Sequence, residues 1–204
     1  MSDAGRPRVR RAFPAAVALA ACACLPEPKY PGNEVMGTFE FEATALSDDC
    51  VGFMEVPDGG FTFSGTFSRQ TDNSQAWFTL GGISREATFD GQVLKSERTA
   101  PRLLRELDGG AANVNVVETL VVALSSRSQD AKLEGNCPAD PLDGGLPEPN
   151  GDLGIFAPGT TPQGFDAIRA CGELTDEVVP DPAAVPSCEC VGCTLRYRVR
   201  GDRK

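Results

Sequence analysis

Gly37-Thr38-Phe39-Glu40-Phe41-Glu42-Ala43-Thr44-Ala45-Leu46 decides how the body of this chain folds. Phe39, Phe41, Ala43 and Ala45 share one parity, and Glu40, Glu42 and Thr44 share the other. Side chains alternate across an extended backbone, so this pattern makes a strand with one buried face and one wet face. The pattern recurs after the turn Pro57-Asp58-Gly59-Gly60, where Phe61, Phe63 and Phe67 alternate with Thr62, Ser64, Thr66 and Ser68. Gly65 falls on the aromatic side, where it leaves space for a neighbouring ring or marks a bend. Gly37-Thr38-Phe39 and Gly65-Thr66-Phe67 match, but three residues do not make a repeat.

Further strands lie downstream. Thr71-Asp72-Asn73-Ser74 reads as a loop, Ala76 to Leu80 as a short strand, and Gly81-Gly82 as a turn. Asp90-Gly91 is the best hairpin signal in the chain, with Gln92 to Thr99 as the returning arm. The mixed charges of that arm predict an exposed sheet edge. Leu103, Leu104 and Leu107 fit a brief helical turn before Asp108-Gly109-Gly110. Val114 to Leu124 is the most apolar segment of the body. Val114, Val116, Leu120, Val122 and Leu124 occupy one face, and Val117, Val121 and Ala123 the other. Apolar residues on both faces, rich in β-branched valine, predict a central strand.

From Ser125 to Gly192 the character changes. Cys137 to Pro162 holds six prolines among Gly-Asp clusters and reads as a long loop. Thr161-Pro162 offers an N-cap and first turn for a short helix over Phe165, Ile168 and Ala170, with Gly172 near its end. The last strand is clear. Cys193, Leu195, Tyr197 and Val199 face one way, and Thr194, Arg196, Arg198 and Arg200 the other. The expectation is an all-β fold, an antiparallel sandwich or small barrel. Residues 34–126 and 193–200 would form one sheet system, and 127–192 a loop-rich, disulfide-stapled excursion.

The N-terminal end supplies an address. Arg6-Pro7-Arg8-Val9-Arg10-Arg11 is basic, and Ala12 to Ala21 is small and apolar, with Cys22 directly after it. A charged region, a short apolar run and small residues at the cut describe a secretory signal peptide. The run is about 10 residues where a bilayer span needs roughly 20. Leu19-Ala20-Ala21-Cys22 resembles the lipobox of bacterial lipoproteins. The resemblance implies cleavage after Ala21, a diacylglycerol thioether on Cys22, and acyl chains as the membrane contact. It also implies the outer membrane, if the cell has one, because Ala23 rather than Asp follows the lipidated cysteine. Arg10-Arg11-Ala12-Phe13 is similar to the core of a twin-arginine signal, so the export route stays open. The resulting division is a signal peptide over 1–21, a lipidated tether over 22–33, and a single β domain over 34–204. Three prolines between Leu25 and Asn33 stiffen the tether.

The chain has 204 residues with 19 basic and 29 acidic side chains. Removing 1–21 takes four arginines and one aspartate, leaving 15 against 28, a formal charge of −13. Such a body disfavours nucleic acid and anionic headgroups. Of eight cysteines, lipidation consumes Cys22. Outside the cytoplasm the rest favour disulfides, and their odd number leaves Cys24, on the tether, as the unpaired candidate. Cys50, Cys137, Cys171, Cys188, Cys190 and Cys193 are the disulfide candidates. They allow 15 connectivities. Cys188 and Cys190 are too close to pair comfortably, so each is expected to reach a distant partner.

Chemistry is harder to find. There is no histidine, which removes Ser-His-Asp and Cys-His arrangements, and no phosphate-binding glycine loop occurs. Cys188-x-Cys190-x-x-Cys193 has spacing suited to zinc or redox exchange, but an oxidising compartment favours structural disulfides. Asp140, Asp143, Asn150 and Asp152 carry oxygen ligands in no calcium-loop spacing. Glu40 and Glu42 fit a solvated face better than a glycosidase pair. Arg196, Arg198 and Arg200 form a basic stripe, either paired with neighbouring carboxylates or free to contact an anion or polysaccharide. No cofactor and no metal is expected. The best reading is a lipid-anchored binding or scaffold module without catalysis. Its partner would be an envelope protein or polysaccharide. The alternatives are a barrel carrying an apolar ligand among Phe39, Phe41, Phe61, Phe63 and Phe67, and an exported carboxylate hydrolase.

Overall fold

A computed structural model describes residues 29–50, 60–105, 111–143, 165–180 and 192–204. Eight strands run in chain order: β1 (Glu34–Asp48), β2 (Phe61–Arg69), β3 (Ala76–Leu80), β4 (Ile83–Phe89), β5 (Val93–Arg105), β6 (Ala111–Ser126), β7 (Ala167–Pro180) and β8 (Cys193–Arg203). Each pairs antiparallel with the next, and β8 returns to β1, so the sheet closes into a barrel. Closure settles barrel against sandwich. With eight strands the interior is just wide enough for side chains to fill it or for one small ligand to sit among them.

The alternation seen in the sequence sets which residues fill the interior. Phe39, Phe41 and Phe67 are fully buried, and Phe78 nearly so. Phe41 stands 5.8 Å from Phe67 and 6.3 Å from Phe78, both edge-on. Gly65 makes room for this packing: a Cβ there would meet the Phe78 ring at 2.2 Å. β8 inserts Leu195, Tyr197 and Val199, all buried, between β1 and β7.

At one end of the barrel a short helix, α1 (Arg127–Lys132), packs against β6 and β7. The Ser126 N–H donates to Gln129 Oε1 at 3.0 Å, satisfying a backbone donor at the helix start. Arg69, fully buried at this end, pairs with Glu34 at 2.6 Å and lies over the Phe89 ring. The disulfide Cys137–Cys171 ties the segment after α1 to the outside of β7. At the other end, Cys50–Cys193 joins the residue just beyond β1 to the start of β8.

Three expectations are corrected. Phe165 to Gly172 forms no helix: β7 starts at Ala167 and is a full stave of the barrel. Its apolar residues satisfy a strand period as well as a helical one, and pairing with both β6 and β8 decides between them. The 127–192 segment is therefore not wholly an excursion. Leu103 lies in β5, opposite Asn113 of β6, rather than in a helical turn, while Leu107 is outside the described residues. The arm from Gln92 to Thr99 is no simple edge, since β5 pairs with β6 along its whole length. It is unpaired on its β4 side only from Glu97 onward. Among the described residues no helix is long and apolar enough to cross a membrane.

Candidate binding site in the barrel interior

The parity that places phenylalanines inside also places charges inside. On β6 the inward series is Val114, Val116, Glu118, Leu120, Val122 and Leu124, and on β7 it is Gly172, Leu174, Asp176 and Val178. Glu118 and Asp176 are direct cross-strand partners. Arg98 of β5 is the partner of Glu118 on its other side, and Leu195 of β8 is the partner of Asp176. One row of the barrel thus reads Arg98, Glu118, Asp176, Leu195. From β4, Arg85 forms an ion pair with Glu118.

The surroundings make the row costly. Leu120, Leu174 and Tyr197 pack below it toward α1, and Val114, Val116 and Val178 lie above it, all buried. Like charges directly opposite in a sheet repel, and a buried charge loses hydration. The carboxyl of Asp176 responds by titrating at about 6, raised first by burial and then by Glu118, against the pull of Arg102 and Arg85. Asp176 Oδ1 and Arg85 Nε are buried without hydrogen-bond partners among the described residues. Tyr197 is raised as well, by burial and then by Asp176 and Asp48. On the α1 side of the row the interior turns aromatic. Half-buried Phe61 meets Tyr197 edge-on at 5.1 Å, and half-buried Phe63 stacks on Phe41 at 4.7 Å.

The sequence-level candidates distribute differently. Phe39, Phe41, Phe61, Phe63 and Phe67 do converge inside the barrel, as expected. Cys50, Cys137, Cys171 and Cys193 form the two disulfides. Cys22, Cys24, Cys188 and Cys190 lie outside the described residues. Glu40 and Glu42 are exposed on the outer face, and Lys204 approaches Glu40 at 3.5 Å. Among the described residues no group of three metal-ligating side chains converges. Asp140 and Asp143 instead share an outer groove of about 260 Å³ with Glu173, Arg196 and Arg198. Arg196 pairs there with Glu173 at 2.6 Å, and Arg200 reaches Asp202 at 3.3 Å. Asn150 and Asp152 are outside the described residues.

Sequence reading missed Glu118, Asp176, Arg85 and Arg98. The signal for Glu118 was present: it is the one charged residue on the inward parity of the most apolar strand. Asp176 has the same signature between Leu174 and Val178, hidden by reading the segment before it as a helix.

Fold and row together describe a closed β-barrel compatible with a binding or carrier module. No protein-family model, no curated protein and no solved structure matches the chain.

Proposed function

We propose that this protein is an exported binding module, anchored to the cell envelope through lipid on Cys22, that holds a small ligand inside its barrel. The observation that carries the reading is the charged interior row, joined through Tyr197, which feels the Asp176 charge, to half-buried Phe61. Apolar residues of similar size at Arg98, Glu118 and Asp176 would stabilise the fold more, because buried ion pairs rarely recover their desolvation cost. Keeping polar groups with unpartnered atoms next to aromatic surface suits a pocket that recognises a ligand. We propose no reaction for the protein, whose sequence holds no histidine for a Ser-His-Asp or Cys-His arrangement. The signal and lipobox over residues 1–22 support the address: the cell envelope, at the outer membrane if the cell has one. The outer groove lined by Arg196 and Arg198 favours a second reading, contact with an envelope polysaccharide or protein.

The test has two arms. The uncharged apolar fluorophore N-phenyl-naphthylamine should bind the folded protein saturably, and Phe63→Asp should weaken binding about tenfold or more, the scale of one lost apolar contact. Binding seen only in heat-unfolded protein would overturn the carrier reading. Labelled palmitate should enter wild type and not Cys22→Ser; label retained on the variant would remove the anchor assignment.

A further inference from the structure

The barrel has one weak seam. β4 and β5 pair only through Ala87–Ser96, Thr88–Lys95 and Phe89–Leu94. Beyond that, residues 83–86 pair only with β3, and residues 97–105 only with β6. Continuing the same register would set Glu86 opposite Glu97 on the outer face and Arg85 opposite Arg98 on the inner face. The ladder stops where like charges would meet twice. Solvent screens the exposed glutamates, so the inward arginines are the stronger cause. An outer hollow of about 310 Å³ marks the fork, lined by Glu86, Ala87, Thr88, Lys95 and Glu97.

The two arginines are unequally satisfied. Arg85 shares Glu118 with Arg98, because Glu118 is the ion-pair partner of one and the cross-strand partner of the other. Arg98 is half-buried and has no ion pair of its own among the described residues. Arg102 of β5 shares the inward parity of Arg98, four residues further along, and is exposed there. On the inner side Arg85, Arg98 and the more exposed Arg102 stand against Glu118 and Asp176, an inward excess of one positive charge, while Lys95 stands with Glu86 and Glu97 on the outer face.

Building on the carrier reading, we propose that Arg85 and Arg98 hold an oxyanion group of the ligand, admitted sideways through the β4–β5 seam, with the ligand's apolar part against Phe61 and Phe63. The bound anion bridges the two arginines whose repulsion holds the seam apart. The charged and titratable groups around Asp176 are Glu118 on β6, Arg85 on β4, Arg98 and Arg102 on β5, and Tyr197 on β8, with Asp48 of β1 beyond Tyr197. Ionised Asp176 repels an incoming anion, so binding tightens as pH falls below about 6.

Calorimetric titration of the full chain with three probes decides the matter: sulfate, decanesulfonate and decanol. The two anions keep their charge across the pH range used. Decanesulfonate should bind about tenfold or more tighter than decanol, the scale of a charge-assisted hydrogen bond. Arg98→Gln should erase that advantage, Arg98→Lys should restore part of it, and Arg127→Gln on α1 should leave it intact. Wild type should bind decanesulfonate more tightly at pH 5.5 than at pH 7.5, and Asp176→Asn should lose the difference. Equal binding of decanol and decanesulfonate would overturn the anion site and leave the carrier standing. Sulfate binding that depends on Arg98, with no gain from the chain, would keep the anion site and overturn the carrier. Binding of none of the three to protein with an intact thermal transition would overturn both.

Discussion

Asp176 shows what a single residue contributes here. Its folded carboxyl titrates at about 6, above the usual carboxylate range, so folding disfavours its ionised form. The folded state then binds more protons than the unfolded state between roughly pH 4 and 6, and stability falls as pH rises through that window. Asp176→Asn removes the penalty. The variant should match wild type near pH 4 and exceed it at pH 7.5 by roughly 1–2 kcal/mol, after allowing for solvent screening. Thermal melts at the two pH values check this, and a variant less stable than wild type at pH 7.5 would show that ionised Asp176 supports the fold. Gly65 makes the opposite contribution at the same scale: by lacking a side chain it admits the Phe78 ring.

Among the elements, β5 is the most divided. Its first residues are held from both sides, and its remainder from one. If repulsion between Arg85 and Arg98 stops the ladder, neutralising the inner pair should extend it. Arg98→Thr should slow hydrogen exchange of the backbone amides over residues 83–86. Glu97→Lys should slow it less, because the outer pair is screened. Equal protection in wild type and Arg98→Thr would mean that the twist of the strands, rather than charge, ends the pairing. Pro101 and the charges of Glu97 and Arg102 also blunt this open edge against pairing with another chain.

For the molecule as a whole, β8 is the closing element. It pairs with β1 and β7 at once, and Cys50–Cys193 pins its first residue across a sequence separation of 143. Leu195 and Tyr197 are almost fully buried, and each such side chain contributes roughly 1.5–3 kcal/mol of a total near 5–15. Leu195→Asp combined with Tyr197→Asp should abolish the cooperative thermal transition while keeping every cysteine. Arg196→Gln with Arg198→Gln should hardly shift it, since both side chains are exposed. A doubly Asp-substituted protein melting within a few degrees of wild type would mean that the barrel stays closed without this strand's packing.

The sequence by itself determined the all-β class, the inward faces of β1, β2, β6 and β8, and the convergence of the phenylalanines. These follow from a local rule, because side chains alternate along any extended strand whatever its neighbours are. The cysteines were legible as disulfide candidates in the same way. Closure, register and partner choice were decided only by the tertiary structure, because each depends on residues far apart in the chain meeting. β7 became a strand because β6 and β8 offered it backbone partners on both sides, a choice its own mixed periodicity left open. Glu118, Asp176, Arg85 and Arg98 come from four strands; Glu118 and Asp176 interrupt apolar faces, but Arg85 and Arg98 each alone resemble an ordinary surface charge. Only the register that puts Arg98, Glu118 and Asp176 in one inward row, and ends the β4–β5 ladder at Ala87–Ser96, short of Arg85, makes them a site.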